Sequence, residues 1–114
     1  MLFGLDEFRS YLERDAFGVV QPDITRLGGL TGCLKVAALA EVHHRPVSPH
    51  LFPEVAVHVA CGLQAVTSVE YMPWLYPLFT NPPKVEKGRL VPPSGSGLGL
   101  EIDTDAVAKY RVKF

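Results

Sequence analysis

Three ionisable residues stand in equivalent places along the chain. Asp23 follows the short extended run Val19–Gln21, His50 follows Val47-Ser48, and Glu70 lies near the end of Val66–Tyr71. In parallel α/β architectures the carboxyl ends of neighbouring strands face one shared site, so an acid, an imidazole and a second acid would converge there. The set is chemically usable. A carboxylate on one imidazole nitrogen fixes the tautomer and raises basicity, leaving the other nitrogen for proton transfer. A second acid, if its surroundings keep it protonated, can donate to a developing oxyanion. Each residue also has an ordinary alternative. Asp23 could cap the turn into Gly28-Gly29, His50 could be a loop residue of SPHLFP, and Glu70 an ion-pair partner. Their shared place at strand ends is what favours chemistry.

The remaining reactive residues carry less. His43-His44 follows a helix, where a cation suits the C-terminal dipole. Glu54 and His58, at i and i+4, read as a surface or interhelix contact. The four histidines show no compact ligand spacing, which argues against structural zinc. Cys33 and Cys61 fall in helical segments as small hydrophobes, and two cysteines suit a reducing compartment. Trp74, Tyr71, Tyr76 and Phe79 form a packing cluster without interleaved basic residues. Ser94–Gly99 (SGSGLG) has no preceding strand and no helix directly after it, so it reads as a turn and not as a phosphate loop.

The elements that must position these residues follow from spacing. Leu5, Phe8 and Leu12 make one apolar stripe, predicting a helix over 6–15. Leu34–Val42 is apolar almost all round, and so is Glu54–Leu63, which Pro53 opens. Helices and short strands alternate, as in βα units around a parallel sheet. Three short strands cannot close a barrel, so part of the core is expected from chain not present here. Beyond Met72 the character changes, with six of the ten prolines between Pro73 and Pro93. A hairpin is expected with its turn at Glu86–Arg89, and Asp103 should cap a last helix, 104–110.

Composition bounds the rest. The 114 residues are 47% hydrophobic and 20% charged, with a net charge of −1, which describes one globular unit. There is no basic excess for nucleic acid and no apolar run of about 18 residues for a membrane. The acidic start MLFGLDEF is unlike a signal peptide, and a cytoplasmic location is expected.

Several motifs occur together and in order: QPDITRLGGLTGCLKVAALAE, RPVSPHLFPEVAVHVA, VEYMPWLYPLF and LVPPSGSGLGLEID. With 27 residues from Asp23 to His50 and 20 from His50 to Glu70, the chain resembles the C-terminal part of the mandelate racemase branch of the enolase superfamily over about 6–112. The resemblance implies an α/β fold: the C-terminal part of a modified TIM-type (β/α)7β barrel, about three βα units over 1–72. It also implies an irregular Pro/Gly-rich tail, 73–114, that packs on a capping domain. Asp23, His50 and Glu70 would end the sixth, seventh and eighth barrel strands. His50 would be the acid/base acting on the proton alpha to a carboxylate, Asp23 its partner, and Glu70 the donor to the substrate carboxylate. Magnesium, which in this superfamily stabilises the enediolate, would be held by carboxylates of earlier strands outside this chain. A second base would likewise come from an earlier strand outside this chain, and His44 stands where many relatives have glycine. The expected reaction of the complete protein is dehydration of a sugar acid, with racemisation or epimerisation of a 2-hydroxy acid as the alternative. A small carboxylic acid is the expected substrate and a homo-oligomer the expected assembly. The isolated chain is expected to be inactive, and a truncated remnant is the rival reading.

Overall fold

A computed structural model describes residues 1–112; Lys113 and Phe114, the end of the expected tail, lie outside the described residues. Helix α1 (Leu5–Leu12) buries Phe8 and Leu12 and is shorter than the stripe predicted. Glu7 opens it by accepting the Gly4 N–H at 3.1 Å, and Asp15, with φ 56°, turns the chain away. Helix α2 (Leu30–Val42) starts earlier than its apolar run. Gly28 and Gly29 supply φ of 71° and 101° just ahead of it, a backbone that side chains resist. Only one side of α2 is sealed. Cys33, Val36, Ala37 and Ala40 are buried, whereas Leu34 and Val42 remain exposed. Helix α3 (Pro53–Gly62) begins on proline, whose missing N–H has no partner to lose there.

Between the helices run three parallel segments that pair only as isolated bridges: Val20 with Val47, Asp23 with His50, and Val47 with Val66. The continuous strands expected at 19–21, 47–48 and 66–71 are therefore corrected to single-residue contacts. Proline is the reason, since Pro22 and Pro49 interrupt two of the three segments and cannot donate to a ladder. Each proline still accepts across the array. His50 N–H donates to the Pro22 carbonyl at 2.9 Å, and Glu70 N–H to that of Pro49 at 3.4 Å. Val20 and Val47 are fully buried and knit the centre, with bonds from Ser48 N–H to Val20 and from Thr67 N–H to Val47. The core lies where these valines meet α1, α2 and α3.

The tail is irregular, as its prolines require. It holds a 3-10 turn (Tyr76–Leu78), which spacing did not predict, and an antiparallel hairpin of β1 (Lys84–Glu86) and β2 (Arg89–Val91). Lys87 and Gly88, both with positive φ, make the hairpin turn. Helix α4 (Thr104–Tyr110) is capped by Asp103, whose carboxylate accepts from Asp105 and Ala106 N–H at 2.9 and 3.0 Å. The tail meets α3 where His58 Nε2 lies 3.1 Å from the Leu98 carbonyl, and within the tail Asn81 brackets Gly99 and Glu101. No helix among the described residues is long and apolar enough to cross a membrane.

Candidate active site at the ends of three parallel segments

Asp23 and His50 are themselves a bridge pair, so the backbone fixes their registration before any side chain is considered. Both directly follow a proline that the array holds by its carbonyl alone. Asp23 is 4% exposed and fully engaged. Its Oδ1 accepts from Thr25 Oγ1 at 2.6 Å, Thr25 N–H at 2.8 Å and Arg26 N–H at 3.2 Å. Its Oδ2 lies 3.3 Å from Arg26 Nε and 4.0 Å from His50 Nε2. Burial pushes this carboxyl up, but the bonds from Thr25 and Arg26 and the Arg26 charge outweigh it, leaving the group below the ordinary carboxylate value. Asp23 therefore caps its turn and also faces the imidazole.

The hydrogen-bond partner of His50 is Glu70. Nδ1 and Glu70 Oε2 are 2.6 Å apart, and the same oxygen accepts the Leu51 N–H at 2.9 Å. With the amide already donating to Oε2, the network assigns the Nδ1 proton to the histidine. Nε2 then faces Asp23 beyond hydrogen-bond reach. The imidazole's hydrogen bond thus goes to Glu70, while Asp23, the expected partner, faces Nε2 with Oδ2, the oxygen that also lies beside Arg26. Asp23, His50 and Glu70 do come together, and the latter two are roughly a quarter exposed, open to a small solute. Leu51 and Phe52, next along the chain, both have positive φ (55° and 47°). Such strain in non-glycine residues costs on the order of 1–3 kcal/mol each and clusters at functional sites.

Thr25, Arg26 and the Leu51 amide are supporting groups that the strand-end argument did not single out. The first two were available from an aspartate placed to form an Asx turn. Cys33 packs behind the site with its thiol 3.9 Å from the Pro22 carbonyl. Burial, then the Asp23 charge, pushes that thiol up to about 11, so it is no nucleophile. A concavity of about 830 Å³ lies between α3, Val66–Val69 and the hairpin and is lined by none of the three residues. A smaller one of about 300 Å³ includes Asp23 and Arg26.

Comparison with known proteins now decides the family. Residues 1–106 match the family model described as enolase C-terminal domain-like. The chain belongs to that family. It is similar to the L-talarate/galactarate dehydratase of Salmonella typhimurium, 32% identical over 106 residues, covering 93% of this chain and 27% of the relative. Its backbone matches an L-talarate dehydratase from Polaromonas sp. JS666, solved with magnesium and L-glucarate, at TM-score 0.86 and 34% identity; 95% of this chain and 30% of that one are covered. It also matches an enolase of the mandelate racemase subgroup from Agrobacterium tumefaciens at TM-score 0.85 and 35% identity, covering 96% and 32%. The three parallel segments and their helices are thus the C-terminal part of the family's β/α barrel, and the chain spans about a third or less of these relatives' length.

This chain's own residues do not fit a metal. Among the described residues no group of three or more His, Cys, Asp and Glu is placed to hold one. Asp23 and the Oε2 atom of Glu70 are already committed to the donors named above.

Proposed function

We propose that this chain supplies the acid/base half of a cytoplasmic, magnesium-dependent enzyme that removes the proton alpha to a carboxylate, and that the complete protein is a sugar-acid dehydratase. One observation carries the reading: the His50 imidazole is held at Nδ1 by Glu70, with Nε2 turned toward the engaged Asp23 carboxylate. Holding Nδ1–H leaves the neutral ring's lone pair on Nε2, where it can accept a proton and later return it to a leaving hydroxyl. Asp23, kept ionised, favours the imidazolium that results. Glu70 orients the ring; to donate to a substrate carboxylate, as the resemblance implies, it would have to exchange the imidazole for the substrate. The residues present do not form a magnesium site, so the metal of this reading belongs to other parts of the protein and no step here runs through it.

In the complete protein, His50→Asn should abolish turnover, with a loss of at least about 100-fold, the lower end of what a positioned acid/base contributes. Substrate binding, read by calorimetry, should persist. Turnover near the parent rate would remove His50 from the mechanism. Product analysis separates the two reactions, since a dehydratase yields a 2-keto-3-deoxy acid and a racemase returns the substrate's epimer.

A further inference from the structure

Two carboxylates flank the His50 ring. Glu70 Oε2 lies 2.6 Å from Nδ1, and Asp23 Oδ2 lies 4.0 Å from Nε2. An imidazole between two anions is held most firmly as the imidazolium, which has no lone pair with which to accept a proton. A base in this place therefore needs one of the two charges offset. On the Glu70 side the Leu51 N–H reaches Oε2 at 2.9 Å, supplying a dipole and not a charge. On the Asp23 side stands a full cation. Arg26 Nε lies 3.3 Å from Oδ2, the same oxygen that faces Nε2.

Three features set this ion pair apart. Oδ1 of Asp23 is taken up by the Thr25 hydroxyl and by the Thr25 and Arg26 N–H groups, so Oδ2 is the oxygen left for both guanidinium and ring. Its acid is 4% exposed, whereas the acids paired with Arg9 and Arg45 are largely exposed. Solvent screens such surface pairs to little effect, but it screens a buried carboxylate much less. Arg26 also keeps its charge across the whole range in which an imidazole titrates. Burial raises the Asp23 carboxyl, but the bonds from Thr25 and Arg26 and the Arg26 charge hold it low, so the acid stays ionised beside the ring.

We propose that Arg26 is a positioning residue for proton transfer: through Oδ2 of Asp23 it offsets the negative charge that Nε2 meets and keeps the His50 lone pair available. The proposal rests on the reading of His50 as the acid/base. Arg26 acts through Asp23 and need not touch substrate. Its backbone N–H caps the turn whatever the side chain, so a substitution there changes the charge and leaves that bond to Asp23 in place.

The test follows the isotope-labelled imidazole nitrogens of the whole chain by NMR through a pH series. The His50 signals are those lost in His50→Asn. In Arg26→Gln the His50 midpoint should rise by at least about half a pH unit, an about threefold gain in proton affinity. Arg26→Lys, which restores the charge, should return it toward the parent. Arg26→Met, also uncharged, takes the place of the glutamine variant if that one fails to fold. An unmoved or lowered midpoint overturns the proposal, and so does a lysine variant that shifts as far as the uncharged ones. A shift shared by His58, at the contact between α3 and the tail, would mark a change of the whole chain and overturn it as well. In the complete protein, Arg26→Gln should carry the acid limb of the kcat/KM profile upward by the same interval. A limb that stays while the midpoint moves removes His50 as the base and leaves the charge coupling standing.

Discussion

At the scale of single residues, function rests on how donors are distributed, and spacing alone does not reveal that. Asp23, His50 and Glu70 were legible because each ends an extended run. Which of the two acids holds the imidazole was not, because the answer depends on the Thr25 hydroxyl and two amides that fold back onto Asp23. The two cysteines differ for a related reason. Both read as small hydrophobes in helices, but Cys33 is fully buried and Cys61 is exposed. With its thiol pushed up to about 11, Cys33 is almost wholly protonated at neutral pH. A thiol-disulfide reagent at pH 8 should therefore titrate one thiol in the folded chain and two in denaturant. Labelling of Cys33 at a rate matching Cys61 would mean that the segment behind Asp23 opens freely.

At the scale of elements, local chemistry was most readable where an element stops or turns. The hairpin's Lys87-Gly88 turn and the Asp103 cap lie where the sequence places them, since both depend on adjacent residues only. The parallel segments were found but overextended, because each proline's lost donor matters only once its neighbours are known. The end of α2 offers a quantitative case. His44 has φ 53°, a conformation that glycine adopts without cost and other residues resist. Its N–H bonds to the Glu41 carbonyl at 3.0 Å, as a helix terminus in the left-handed region does. Relief of roughly 1–2 kcal/mol of strain, less the added freedom of glycine in the unfolded chain, leaves a net gain of about 1 kcal/mol. His44→Gly should therefore raise the denaturant midpoint with an unchanged slope. A lower midpoint would show that the imidazole makes contacts worth more than the strain.

At the scale of the whole molecule, the three residues proposed for proton transfer stand, among the described residues, without a cluster that could hold a metal beside them. Three parallel segments stand where a full barrel of this kind has eight, and large apolar side chains such as Phe3, Val19 and Trp74 are exposed. The two carboxylates beside His50 are engaged, Asp23 by Arg26 and backbone amides and Glu70 Oε2 by the imidazole and the Leu51 amide. This has a thermodynamic consequence. A ligand that binds only the folded state at 100 times its Kd adds about 2.7 kcal/mol, which for a domain of this size moves the melting point by on the order of 10 °C. The melting point of this chain should instead be the same in about 10 mM magnesium and in chelator, to within the degree or so that non-specific screening of surface charge produces. A saturable rise of several degrees would mean that Asp23 and Glu70 surrender their present donors to a metal, and with them the orientation of His50 on which the proposed proton transfer depends.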